Sequence, residues 1–463
     1  MATRVSYNIH ARDLLALGLP LVGGNVAQQM IGITDTLMLG WYDVEALAAV
    51  ALAGSYFFVL YLLGCGFGWA ASPLVAAAQA EDDEMTIRRV TRMAIWLSLV
   101  FVLLTVPLNW HSATVLEWLG QSPDIAALAQ DYLRVLAPAM LPMLLFNVIK
   151  SYLAGLGRTK IVFAITLAAV FINAAANYAL IFGYWGFPEL GVRGAAIAST
   201  VTHSAMLAGL LAYALRIYPH HRLWQRVWKP DWLILDRVGR LGLPIGIATL
   251  AESSMFTASA LMMGWLGTVP LAAHGIVAQV ASAGFILHLG FASAATVRAG
   301  RGVGLRDRDY VARGARVAMI LSLAISVVTV ALYVSMPERL VGLFLAQDEP
   351  LRDAIISYGA VLILMAAAFQ LVDGLQAVMV SLLRGLQDTA VPMVLAGFSY
   401  WGIGMTSSYL LGFTLGWGGI GVWAGLTLGL TAAALLLSWR FWRHMLNRVG
   451  VSPSTEPSSA SAR

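Results

Sequence analysis

The chain has 463 residues, 59% hydrophobic and 11% charged, with a formal net charge of +5 and a mean hydropathy of +0.76. Soluble domains carry about 25% charged and 45–50% apolar residues, so 29 basic and 24 acidic side chains are too few to clothe a soluble core. Disorder, collagen, coiled coil and a nucleic-acid-binding domain are excluded by the same figures, which leaves a polytopic membrane protein.

In chain order, MATRVSYNIHARD runs into an apolar segment without a small-residue cleavage site, so the first span is expected to serve as an uncleaved signal. A helix needs about 20 mostly apolar residues to cross the hydrocarbon. Twelve segments qualify, at 14–39, 47–76, 90–110, 131–155, 160–182, 190–215, 238–263, 272–297, 314–336, 354–382, 390–412 and 418–440. Backbone groups facing lipid must be satisfied within their own segment, so each is read as a helix. The single cysteine, Cys65, lies in an apolar run and reads as a buried, inert thiol. One cysteine and eight scattered histidines provide no metal framework.

With both termini in the cytoplasm, the termini, the even-numbered connections and the adjoining span ends hold 25 of the 29 Lys and Arg; the others are Arg134, Arg193, Arg339 and Arg352. The positive-inside rule therefore fixes that orientation, and the surplus of basic residues is mainly topological. Anionic lipid is a weaker partner.

The halves resemble each other. LGLP at 17–20 returns at 241–244, and LMLGW at 37–41 returns as LMMGW at 261–265; at this offset of 224, nine of the 25 positions in 17–41 are identical. LAGLGRTK at 153–160 parallels LRGLQDTA at 383–390, and GVRGA at 191–195 parallels GVWAG at 421–425. Duplication of a unit with an even number of spans gives two lobes inserted in the same sense. The expected fold is all-α, with 12 transmembrane helices in two six-helix lobes related by a pseudo-two-fold axis along the membrane normal and a site in the cleft between them. The divisions are an N-lobe at 1–215, a cytoplasmic linker at 216–237, a C-lobe at 238–446 and a disordered tail at 447–463. The linker, with Trp224, Trp228 and Trp232, suggests a partly amphipathic helix on the membrane surface.

Three acids fall well inside spans: Asp35, Glu252 and Asp373. An acid near mid-bilayer costs about 2.5–3.5 kcal/mol on insertion scales, so such residues normally face a cavity or carry a proton or ion. Each can be a protonated acid, a cation-bound carboxylate or the partner of an organic cation, and a cation-coupled exporter needs those occupancies to exclude one another. At the repeat offset Asp35 faces Ser259 and Glu252 faces Gln28, so the acids are not symmetry mates. Asn173 and Asn177 share one helical face and offer oxygens to a hard cation; Ser199, Thr200 and Thr202 read chiefly as interhelical hydrogen bonders. His203 and His288 read as satisfied neutral histidines rather than proton relays. Lys150 is close enough to a span end to snorkel. Met255, Phe256, Met262 and Met263 would suit an adaptable binding wall but read first as packing.

GWGGIG at 416–421 joins two spans with no preceding strand, so it is not a dinucleotide site, and no Walker A, H-E-x-x-H or G-x-S-x-G motif is present. An ion gradient is then the energy source, and no enzyme is expected.

TDTLMLG at 34–40, the LAES segment carrying Glu252, FINAAANYALIFG at 171–183, GVRGAAIAST at 191–200 and VDG at 372–374 resemble the multidrug and toxic compound extrusion (MATE) transporters, in particular the bacterial subfamily typified by the norfloxacin exporters. The likeness covers nearly the whole chain except the tail. It implies an antiporter of the bacterial inner membrane, monomeric and without a cofactor, that expels cationic amphipathic compounds in exchange for Na⁺ or H⁺. It assigns cation coupling to Asp35 with Asn173 and Asn177, and to Glu252 with Asp373, either group being a candidate Na⁺ site. Phe369, one turn before Asp373, lacks the hydroxyl that some sodium-coupled relatives have there. A lipid-linked precursor flippase of the same superfamily would need a basic cavity, for which the spans offer little besides Lys150 and Arg193. A non-transporting membrane protein or receptor is the remaining alternative.

Overall fold

The computed structural model describes residues 6–42 and 44–450 and, among them, contains helices and turns but no strand. Of the expected tail at 447–463, residues 451 onward lie outside the described residues, whereas 447–450 are ordered by a 3₁₀ turn at Leu446–Arg448 and the turn that follows it. Eleven helices are individually long and apolar enough to span a membrane. The N-lobe comprises α1 (Tyr7–Tyr42), α2 (Val44–Ala80), α3 (Glu84–Trp110), α4 (Pro123–Gly155), α5 (Thr159–Phe182) and α6 (Gly191–Ile217). The C-lobe comprises α7 (Trp232–Leu266), α8 (Thr268–Gly304), α9 (Arg308–Ser335), α10 (Arg352–Gly385), α11 (390–414) and α12 (Gly418–Arg448). The twelfth span is α11, in which π-turns at Phe398–Met405 and Leu410–Thr414 interrupt the α-helix. It follows α12 closely, with Gly425 against Ser408 and Gly404 against Gly429.

The duplication is visible in local detail. Pro20 lies inside α1 and Pro244 inside α7. Asp82 and Arg306, 224 positions apart, both adopt left-handed backbone (φ 55° and 54°). The next residues, Asp83 and Asp307, cap α3 and α9 by accepting the backbone N–H of Thr86 and Tyr310, each at 2.9 Å. Short helices follow at Ser112–Trp118 and Pro337–Gly342.

The first and last described helices begin and end on one side of the bundle: Arg316 at the start of α9 donates to Tyr7 Oη at 3.0 Å and stacks over Trp442. The lobes meet on that side. Asp13 of α1 pairs with Arg298 of α8 at 2.6 Å, Gly18 lies against Phe291, and Val22 against Gly290. Gly66 of α2 touches Gly242 and Gly246 of α7, while Gly300 and Gly304 of α8 touch Pro73 and Ala77 of α2. In the opposite halves, nothing lies within 4 Å of where a Cβ would stand on Gly32, Gly54 or Gly275.

The linker is not the expected surface helix. Between Ile217 and Trp232 it forms a 3₁₀ turn at Pro219–His221 and then further turns. Its backbone is left-handed at Arg222 and Arg226. The acceptors a helix would use internally go to α3 instead: Arg92 donates to the carbonyls of Gln225 and Arg226, and Trp96 to that of Val227. Trp224, Trp228 and Trp232 remain exposed.

Candidate functional site

Asp35 stands in the half of α1 beyond the lobe contacts and gathers polar side chains from two neighbouring helices. On α5, the i, i+4 spacing of Asn173 and Asn177 turns both fully buried amides toward it. Their Nδ2 atoms donate to Asp35 Oδ1 at 2.9 and 2.6 Å, and Asn177 also donates to Asn173 Oδ1 at 3.2 Å. From α6, Ser199 Oγ donates to Asp35 Oδ2 at 3.1 Å. Asn177 Oδ1 is buried without a hydrogen-bond partner. A primary amide can offer its nitrogen to a carboxylate or, turned over, its oxygen to a cation. One acid, two amides and a hydroxyl are thus an oxygen-rich set for a proton or a hard cation.

Sequence reasoning placed Ser199 with Thr200 and Thr202 as structural hydrogen bonders. The two threonines do bond carbonyls of their own helix, Ala196 and Ala198, whereas Ser199 joins Asp35. Three positions per turn cannot share one face, and Ser199 is the one pointing at α1. His203 engages the Ser199 carbonyl through Nδ1 at 2.8 Å.

In the C-lobe, Asp373 of α10 is 2% exposed and Glu252 of α7 lies within electrostatic reach of it. Among the described residues neither carboxylate takes a hydrogen bond or ion pair. Arg384 and Tyr400 complete the group. The sequence had put Arg384 beyond the end of its span, but α10 runs to Gly385, and Arg384 interacts electrostatically with Glu252 and donates to Thr249 Oγ1 at 3.3 Å. Tyr400, from the π-turn of α11, interacts with Glu252, Asp373 and Arg384, and its Oη accepts from Gln376 Nε2. It brings a phenol to the acids where Phe369 has none. Phe369 instead packs edge to face with Phe256 and Trp423, at 5.9 and 5.6 Å. Neither Arg384 nor Tyr400 carries a motif of its own, and only the helix packing brings them to the acids.

Other sequence candidates take structural places. His288 is held by Ser322 and Ser326, Met255 and Met263 are fully buried in the C-lobe core, and Cys65 is buried. Lys150 does not snorkel. Its face of α4 packs inside the N-lobe, and Nζ donates to Asn25 Oδ1 of α1 at 3.3 Å.

The MatE family model matches residues 20–179 and 244–410, one stretch in each lobe. A probable multidrug resistance protein NorM of Rhizobium meliloti is 43% identical over 97% of this chain and 96% of its own length. One of the same name from Synechocystis is 35% identical, with 97% and 98% covered. Among solved structures, a MATE in the bent conformation superposes with a TM-score of 0.85 at 20% identity, over 97% of this chain and all of that one. The eukaryotic MATE transporter AtDTX14 gives 0.82 at 18% identity, over 96% and 99%.

Proposed function

The chain belongs to the MatE family, and from that premise we propose that it is a multidrug efflux antiporter that exports cationic amphipathic compounds in exchange for Na⁺ or H⁺. It is a transporter rather than an enzyme. It works as a monomer without a cofactor in the bacterial inner membrane, with both termini cytoplasmic, and nucleic acid is not a partner.

The observation that carries this reading is the ring of Asn173, Asn177 and Ser199 around Asp35 in a span. A carboxylate held inside a membrane helix by neutral donors alone carries an uncompensated charge, which a proton, a metal cation or an organic cation relieves in mutually exclusive ways. Glu252 and Asp373 form a second acidic group, and like charges within electrostatic reach of each other favour uptake of a cation or proton by one of them. With the lobes joined on the terminal side, rocking them about this contact would expose the acids alternately to the two sides.

Purified protein in proteoliposomes tests the reading, with drug efflux measured under an imposed Na⁺ gradient and, separately, an imposed pH gradient. One gradient should drive efflux, and Asp35→Asn, Glu252→Gln and Asp373→Asn should each abolish it while the purified variant remains folded. Gradient-driven efflux at the wild-type rate by all three variants overturns the assignment.

A further inference from the structure

We propose that Glu84, His220 and His221 form a binding site for a divalent transition-metal ion, with Zn²⁺ the best chemical match, on the linker between the lobes. The site is remote from the acids discussed above and does not rest on their role. One potential ligand atom from each of the three side chains lies within 4.8 Å of the other two, and His220 Nε2 stands 3.8 Å from Glu84 Oε1. Around an ion with bonds of about 2.0–2.2 Å, tetrahedral ligand atoms are roughly 3.4 Å apart. Small side-chain rotations therefore close the set, and the two ligands that must move are the free ones: the side chains of His220 and Glu84 are 50% and 58% exposed.

The local sequence builds this arrangement. α6 ends at Ile217, and Pro219 starts the 3₁₀ turn Pro219–His221, which places two consecutive imidazoles side by side, with ring centres 4.6 Å apart. Glu84 is the first residue of α3, directly after its cap Asp83. The third ligand is fixed in advance. His221 is buried, stacks on Tyr218 at 5.1 Å and 13°, and shares a 2.6 Å hydrogen bond between Nδ1 and Tyr152 Oη. An outer-shell partner on one ring nitrogen is the usual means of orienting a metal-binding histidine, and it leaves Nε2 for the ion. Two imidazoles and a carboxylate, with water in the fourth position, are a donor set that suits zinc, whereas Mg²⁺ and Ca²⁺ prefer oxygen alone.

Binding here would fasten the linker to α3 at a second point. Farther along, the linker is already tied to α3 by Arg92, Trp96 and the Arg89–Asp231 ion pair, and Asp231 caps α7, the first helix of the C-lobe. Occupancy would thus stiffen the connection through which one lobe follows the other.

The test uses full-length, tag-free protein in nanodiscs, stripped with EDTA and titrated with Zn²⁺ against a chromophoric chelator, with Co²⁺ as a spectroscopic substitute. We expect one equivalent per chain and a tetrahedral Co²⁺ absorption band. His220→Ala and Glu84→Gln should each weaken binding by at least about tenfold, and Tyr152→Phe, which keeps the ring but not the hydroxyl, by a factor of about 10–100. His444→Ala, an exposed histidine elsewhere on the same side of the bundle, should bind as wild type. Failure to bind a stoichiometric ion, or binding unchanged by both His220→Ala and Glu84→Gln, overturns the site.

Discussion

Replacing Gly66 with alanine should push the two lobes apart on the terminal side. The added Cβ would stand 2.1 Å from the Gly242 carbonyl oxygen and 2.7 Å from the Gly246 nitrogen of α7. Both obstructions are backbone atoms, so no rotamer change relieves them, and a relaxed C···O contact of about 3.3 Å or more requires the helices to separate by roughly 1 Å. Overpacking of this kind costs about 1–3 kcal/mol. α2 and α7 belong to different lobes, so the cost falls on the state in which they touch and is avoided when the lobes swing apart. At 1.4 kcal/mol per factor of ten, the population of the closed state should fall by about fivefold to somewhat over a hundredfold. Spin labels on Lys160→Cys and Arg301→Cys, exposed positions on the terminal side of either lobe, report the separation in nanodiscs; Cys65 is buried and stays unlabelled. Gly54→Ala is the control, since nothing lies within 4 Å of its Cβ position. If Gly66→Ala and Gly54→Ala give the same distance distribution and the same melting temperature, close packing of glycines is not what seals this side.

The paired caps give a second expectation: Asp83→Ala and Asp307→Ala should each cost about 1 kcal/mol, read from denaturation midpoints. The Thr86 hydroxyl and backbone N–H hold the Asp83 carboxyl below its ordinary range. Its contribution is therefore present above the unfolded carboxyl's pKa and lost as pH falls through the folded one; an Asp83→Ala difference that persists unchanged at low pH contradicts this origin. Lys150 has a single amide acceptor inside the N-lobe, and a half-buried cation so poorly partnered is costly. Lys150→Met should accordingly raise the melting temperature, and a fall would show that the ammonium stabilises the fold.

Much of the architecture is legible in the sequence because membrane spans are written in composition and the duplication is written twice. The offset of 224 that relates LGLP at 17–20 to 241–244 also relates the caps Asp83 and Asp307 and the left-handed residues Asp82 and Arg306. The acids were visible because charge is rare within spans, and the Asn173–Asn177 face because helical spacing is regular. What escaped depends on partners distant in sequence. The linker lost its expected helix to Arg92 and Trp96, more than 130 positions earlier. Lys150 found Asn25 instead of the membrane surface, and Ser199 could be told from Thr200 only by the direction in which α6 turns it.

The two lobes keep the repeat's frame but not its chemistry. In the N-lobe one carboxylate is surrounded by neutral donors, and among the described residues no Lys or Arg pairs with it. In the C-lobe two carboxylates share their surroundings with Arg384 and a phenol, so part of their charge is already compensated. Removing Asp35 leaves its three partners with only each other, whereas removing Glu252 leaves the half-buried Arg384 without its acid, which is the more damaging loss for a fold. Glu252→Gln, which keeps the shape and a hydrogen-bonding oxygen, is therefore the informative change in the C-lobe, and a double variant with Arg384→Gln should recover stability lost by Glu252→Gln alone. A double variant less stable than either single change would mean that Arg384 is held by partners other than Glu252.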